Sequence, residues 1–262
     1  MSSPSDRPAW YEAILPVMDL RLGQVVRGVA GRRDEYQPVQ SRYVGDARPG
    51  TIAMLLAQTF GFGDCYVADL NAIGGGQVDA AALEAVAVQG LNVWLDAGVG
   101  SVARWQVCAE SLREWSPFRW IVGLESLASW QAMQQLVDAI EPDRLVFSLD
   151  LKQGKPLTNR PDFAGMSPLE IAKKVADLGV RTVLVLDVEA VGEGTGARTE
   201  GLLAEIARAL PEVALVAGGG MASPTDIESL AECGVQRVLV ASALHDGRIV
   251  PYRGGRRGAD WN

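Results

Sequence analysis

Leu15-Pro16-Val17-Met18-Asp19-Leu20-Arg21-Leu22-Gly23 has a partner later in the chain, Phe147-Ser148-Leu149-Asp150-Leu151-Lys152-Gln153-Gly154. Both read apolar run, Asp-Leu, a base, any residue, Gly. Each apolar run is too short for a helix, ends on a carboxylate and enters a glycine-bearing loop. That is the pattern of a buried strand delivering one acid to the C-terminal mouth of a barrel. The two aspartates lie 131 residues apart in a chain of 262, which points to an internal duplication.

Working outward, apolar runs and helical stretches alternate along the whole chain. Strands are expected over 13–19, 65–69, 91–95, 119–122, 145–150, 182–187, 213–216 and 235–240. Helices are expected over 52–60, 79–89, 101–112, 127–140, 168–178, 199–210 and 224–232. Strands spaced by helices pair in parallel through right-handed crossovers, and eight such units close a (β/α)8 TIM barrel; a doubly wound open sheet is the structural alternative. Local matches between the halves favour the barrel. Val67-Ala68-Asp69 answers Val185-Leu186-Asp187, Gly98-Val99-Gly100-Ser101 answers Gly220-Met221-Ala222-Ser223, and Val122-Gly123 answers Val240-Ala241. The expected organisation is a flexible arm over 1–12, one barrel over 13–248 with halves of about 13–140 and 141–248, and a basic flexible tail over 249–262 containing Arg253, Arg256 and Arg257. Only Ser242-Ala243-Leu244-His245-Asp246-Gly247-Arg248 follows the last strand, so the closing helix is expected to be truncated or atypical, with the arm covering the gap.

Composition excludes several classes. At 48% hydrophobic and 21% charged, the chain can bury a large core and is not a disordered protein. A formal net charge of -8 argues against a nucleic-acid surface but leaves room for a local anion pocket of backbone amides. Cys65, Cys108 and Cys233 are odd in number and widely spaced, the pattern of reduced buried thiols. The N-terminus lacks an export core and no apolar run is long enough to span a bilayer, so a cytoplasmic location without membrane contact is expected. A single histidine, His245, excludes a His-based triad or a His-rich metal site, and His245 itself is expected at the surface.

Ala217-Gly218-Gly219-Gly220-Met221-Ala222-Ser223-Pro224 lies between strand seven and a helix. Glycines there let the backbone approach a phosphate while amides point at it. Ala241 and Ser242, after strand eight, would complete the grip, so Gly219, Gly220, Ala241 and Ser242 are the candidate phosphate-binding residues. At the matching place of the first half, Asp96-Ala97-Gly98 and Gly123-Leu124-Glu125 set two carboxylates beside the amides, where a dianion would be repelled, so that site is read as altered or lost. Gly98-x-Gly100-x-x-Ala103 lacks the context of a dinucleotide fingerprint.

Asp19 and Asp150 face each other across the mouth of a closed barrel and are the candidate acid and base, provided their surroundings separate their pKa values. Asp69 and Asp187 also end strands, so four acids lining the mouth, with metal binding as the competitor, is the alternative; no metal is assigned. Arg27, Arg32, Arg33 and Arg42, in the long loop after strand one, are placed to meet an anion or to sit solvated on the surface. Trp94 is read as core.

Ile14-Leu15-Pro16-Val17-Met18-Asp19-Leu20 followed by Gly23-Gln24-Val25-Val26-Arg27, then Val67-Ala68-Asp69-Leu70-Asn71, then Ala217-Gly218-Gly219-Gly220 with Ala222-Ser223, resemble the histidine-biosynthesis barrels HisA and HisF from about Ile14 to Arg248. The resemblance implies a half-barrel-duplicated TIM barrel. Its HisA branch implies a cofactor-free Amadori isomerisation of a phosphoribosylated aminoimidazole carboxamide, with Asp19 in the place of the base that takes the C2 proton and Asp150 in that of the acid that protonates the ring oxygen, or the reverse. Further substrate contacts are expected among Arg27, Asp69, Gly98, Gly123, Asp187 and Thr195. The family carries a glycine triplet after strand three, Gly-Thr after strand four, and Thr-Asp then Arg-Asp-Gly-Thr after strand six. Here those places read Asp96-Ala97-Gly98, Gly123-Leu124-Glu125, and Leu186-Asp187 then Gly192-Glu193-Gly194-Thr195 at a shifted spacing. These departures favour one phosphate grip, at Gly219, Gly220 and Ser242, and a different second end. They lean toward a paralogue, for which the resemblance admits a step in methanopterin-type one-carbon cofactor synthesis. The partner expected is a small phosphorylated substrate. A homo-oligomer is compatible with the sequence, a glutaminase partner is not expected, and a non-catalytic phosphate-binding barrel is the reading from another class.

Overall fold

The computed structural model describes residues 7–29, 31–112, 115–191, 199–221 and 223–252. Eight parallel strands form the barrel: β1 (Ile14–Arg21), β2 (Asp64–Asp69), β3 (Asn92–Asp96), β4 (Arg119–Gly123), β5 (Leu145–Lys152), β6 (Thr182–Asp187), β7 (Ala214–Gly218) and β8 (Arg237–Val240). Each pairs with the next, and β8 returns to β1 with Ile14, Leu15 and Pro16 opposite Val238, Leu239 and Val240. Closure rules out the open sheet. Alternation along the strands explains why these sequences close. One residue from every strand, Leu15, Tyr66, Trp94, Ile121, Val146, Leu184, Val216 and Leu239, packs inside the barrel together with Ala68. Their neighbours one position away, such as Val67, Leu95, Val122, Phe147, Val185 and Val240, face the helices instead. Trp94 is thus core, with the Arg119 guanidinium 4.5 Å from its ring centroid.

The surrounding helices are Pro49–Met54 continuing through a wider π turn at Leu55–Phe60, then Ala80–Ala87, Val102–Leu112, Trp130–Ala139, Pro168–Asp177, Glu200–Ala209 and Pro224–Glu232. Two of them start on a reciprocal cap, Ser167 with Glu170 and Ser223 with Asp226, each followed by a proline whose missing N–H costs nothing in the first turn. The closing helix is a single turn, Ser242–His245, as short as the sequence allows. Residues 9–12, counted with the arm in the sequence reading, form another helical turn, Ala9–Glu12. Tyr11 in it is 1% exposed, stacks on Phe62 at 5.3 Å, donates its hydroxyl to the Phe60 carbonyl at 3.0 Å and accepts from the Tyr252 amide at 3.3 Å. The tail from 253 lies outside the described residues.

Two hairpins depart from the expected loops. β1 continues past Asp19 to Arg21, turns at Leu22-Gly23 and returns as Gln24–Arg27; β5 turns at Gln153-Gly154 and returns as Lys155–Pro156. Both central residues of each turn have positive φ, 50° and 76° in the first and 54° and 73° in the second. Such turns match the twist of paired strands and put glycine second, which is why the repeated motif ends on Gly. The duplication therefore extends to the backbone conformation three residues beyond each aspartate.

Candidate functional site

A cavity of about 750 Å³ opens at the C-terminal mouth of the barrel and is lined by both Asp19 and Asp150. Each carboxylate stands on a strand held from both sides. Asp19 lies opposite Ala68 in the parallel ladder and opposite Val26 in the hairpin, while Asp150 lies opposite Leu186. Counting by twos from the interior residues Leu15 and Val146 reaches both aspartates, so both side chains continue the inward-facing row. The same count from Trp94 reaches Asp96, which also lines the cavity.

Asp150 is 8% exposed. The Ser148 hydroxyl donates to its Oδ1 at 2.7 Å and the Glu125 amide reaches its Oδ2 at 3.4 Å. Burial nevertheless dominates, and with Asp96 and Glu125 nearby it pushes the carboxyl from its ordinary 3.8 up to about 7. Gly123 packs closely beside it: a Cβ there would stand 3.1 Å from Asp150 Oδ2, so the carboxylate would have to give by a few tenths of an ångström. Asp19 has Val17 where Asp150 has Ser148, so the repeated acids have unlike surroundings.

At one end of the cavity stand Gly219, Gly220, Met221, Ala241, Ser242 and Arg248. A side chain at Gly219, where φ is 114°, would come within 2.7 Å of the Asp187 carbonyl, so the backbone here stays bare. At the other end, half a barrel away, stand Tyr66, Asp96 and Glu125. The Tyr66 hydroxyl donates to Asp96 Oδ2 at 3.1 Å and the Gly98 amide donates to Asp96 Oδ1 at 3.0 Å. Burial, followed by the charges of Asp96, Asp150 and Asp19, holds the Tyr66 phenol well above its usual range.

Of the expected contacts, Asp19, Asp150, Gly123, Gly219, Gly220, Ala241 and Ser242 meet in the cavity. Asp69, Gly98, Asp187 and Arg27 do not line it. Asp69 and Asp187 fall one position out of the inward row. Asp69 is 1% exposed and accepts from the amides of Ala72 and Asp79, capping an unexpected helical turn at Leu70–Ile73. Asp187 accepts from the Glu189 amide at 3.1 Å. Gly98 is bare because a Cβ would come within 2.8 Å of the Ile73 Cα. Arg27 forms a two-pronged ion pair with Asp246, at 3.0 and 3.1 Å, in a small recess beside Asp19. Thr195 lies outside the described residues.

The expectation of a surface His245 is corrected: it is 3% exposed, and burial lowers its pKa from 6.5 to about 4, so it is neutral near pH 7. The one-turn closing helix places it at a small recess lined also by Val25 and Val26 of the first hairpin and by Val39. Tyr66 was missed as a lining residue; its position two before Ala68 on an inward row was the available signal. Lys152 and Arg248 also line the cavity and pair with Glu189 and Asp246 at 3.9 and 3.2 Å. Among the described residues, no helix is long and apolar enough to cross a membrane.

The sequence model of the family described as histidine biosynthesis protein matches residues 13–250. The chain is similar to the 1-(5-phosphoribosyl)-5-((5-phosphoribosylamino)methylideneamino) imidazole-4-carboxamide isomerase of Thermus thermophilus, 30% identical over 238 residues that cover 90% of this chain and 95% of the relative. It is 28% identical to the isomerase of the same name from Haloarcula marismortui over 244 residues, 90% of this chain and 92% of that protein. An uncharacterized protein of Methanocaldococcus jannaschii is 29% identical over 234 residues, 89% of this chain and 93% of the relative.

Proposed function

The chain belongs to the histidine biosynthesis protein family, and on that premise we propose that it is an isomerase turning a phosphorylated aminoaldose into an aminoketose, with Asp150 as the acid and Asp19 as the base. The observation that carries this reading is that two carboxyls from one repeated motif share one cavity, and that one of them, Asp150, is buried beside Ser148 and the Glu125 amide. Asp150, pushed up to about 7, retains a substantial protonated fraction near neutral pH, as a general acid must. The phosphate is held by Gly219, Gly220, Ala241 and Ser242, whose backbone leaves room for it.

Asp150 gives its proton to the ring oxygen, the bond from that oxygen to C1 breaks, and the nitrogen lone pair forms a C=N bond to C1. Asp19 removes the C2 proton; those electrons form the C1–C2 double bond and the C=N bond returns its pair to nitrogen. Delivery of the proton from Asp19 to C1, with transfer of the 2-hydroxyl proton to Asp150, completes the ketone and restores both carboxyls. The ligand is oxidised at C2 and reduced at C1, so the reaction balances within one molecule. General acid and base catalysis contribute about 10²–10⁴-fold each. With the aminoaldose of the named relatives, or a singly phosphorylated ribosylamine, Asp19→Asn and Asp150→Asn should therefore each lower turnover by at least about 100-fold in folded protein. Variants that stay within about threefold of the parent would overturn the assignment.

A second reading, the same chemistry in another pathway on another phosphorylated aminoaldose, is favoured by Asp96 and Glu125 at the cavity end facing the glycine grip.

A further inference from the structure

We infer that Asp96 sets the specificity of the cavity by filling the first half's anion position with the chain's own carboxylate, so that the ligand carries one phosphate and a far end that donates hydrogen bonds. The inference rests on the isomerase reading only for the statement that the ligand is phosphorylated.

The internal repeat supplies the comparison. Gly98 and Gly220 occupy equivalent turns after β3 and β7, with φ of 67° and 73°. Asp96 stands where the second half has Gly218. In the second half the cross-strand partner of Gly218 is Leu186, and a Cβ on Gly218 would come within 2.8 Å of the Leu186 side chain and 2.9 Å of Leu239. In the first half the cross-strand partner is Ala68, which leaves room for a side chain. Large beside bare has become small beside acidic.

The carboxylate that fills this room takes up the amide of the turn. Asp96 Oδ1 accepts from the Gly98 amide at 3.0 Å and Oδ2 accepts from the buried Tyr66 hydroxyl at 3.1 Å. Those bonds hold Asp96 in place from two sides, so it does not swing aside for an incoming anion. One strand on, Leu124 is buried where the second half offers Ser242, and Glu125 follows it into the cavity wall. An ionised carboxylate only accepts, and a phosphate only accepts once fully ionised, so the two cannot satisfy one another. An amine, amide N–H or hydroxyl can donate to a carboxylate as a fully ionised phosphate cannot. The two isomerases named above act on a compound with two phosphoribosyl groups; this chain takes one phosphate at Gly219, Gly220 and Ser242.

Calorimetric titration of the full chain with ribose 5-phosphate and with the two-phosphate aminoaldose of the named relatives tests this. The parent should bind the two within about threefold of each other. Asp96→Gly should strengthen binding of the two-phosphate ligand at least about tenfold with ribose 5-phosphate unchanged, and Asp96→Asn, which keeps the shape and drops the charge, should move the same way by less. A parent that already prefers the two-phosphate ligand by more than about tenfold would overturn the inference, as would a ratio unaltered in both folded variants. Because the readout is binding, a failure of the isomerase reading shows separately, as absent Asp19-dependent turnover with these ratios intact.

Discussion

Replacing Asp150 by asparagine removes a buried carboxyl whose ionisation the fold opposes, and its effect on stability should depend on pH with a defined sign. The carboxyl rises from 3.8 to about 7 on folding. At about 1.4 kcal/mol per pH unit, ionising it in the folded chain costs about 4 kcal/mol more than in the unfolded chain. A raised acid contributes stability that is complete below the unfolded value of 3.8 and is lost as pH rises through about 7. The Asn variant has nothing to ionise. Relative to the parent it should therefore gain stability as pH rises, by about 3 kcal/mol between pH 5 and pH 8, and stay level above that. Urea unfolding of both proteins across this range measures the difference, from which the titration of groups that do not interact with Asp150 cancels. Any loss of the Glu125 amide contact adds an offset independent of pH. A difference constant within about 1 kcal/mol from pH 5 to pH 8 would refute the reasoning that burial controls Asp150.

Turnover of the parent should fall as pH rises past about 7, because the acid must be protonated, and this limb should be absent from the residual activity of Asp150→Asn; a pH–rate profile reads it. Gly219→Ala places a Cβ 2.7 Å from the Asp187 carbonyl at a φ of 114°, so binding of ribose 5-phosphate should weaken at least about tenfold in a titration. Tyr11→Phe removes the hydroxyl bonds to Phe60 and Tyr252, and denaturant midpoints should report a loss of about 1–2 kcal/mol with turnover unchanged.

The barrel was legible because its strands are short apolar runs punctuated by glycine, and because the repeat of Asp-Leu, base, any residue, Gly survives in both halves. The hairpins beyond Asp19 and Asp150 were not, since a two-residue turn leaves little trace beyond its glycine. The acids show where sequence reading needed one more step. Asp19, Asp69, Asp150 and Asp187 all end apolar runs, but alternation divides them. Asp19 and Asp150 continue the rows of Leu15 and Val146 into the barrel, whereas Asp69 and Asp187 alternate with Tyr66, Ala68, Leu184 and Leu186 and turn their carboxylates to nearby amides. The count by twos also marks Asp96 and Tyr66 as inward. His245 could not be placed this way, because its burial depends on a hairpin more than 200 residues earlier in the chain.

The fate of the C2 proton is the most direct test of the central claim. Isomerisation of a phosphorylated aminoaldose labelled with deuterium at C2 should proceed in the parent with loss of the label from C2 and a primary isotope effect, and Asp19→Asn should leave the label in place in folded, phosphate-binding protein. Removal of the label from C2 by folded Asp19→Asn at the parent's rate would contradict the assignment of Asp19 as the base.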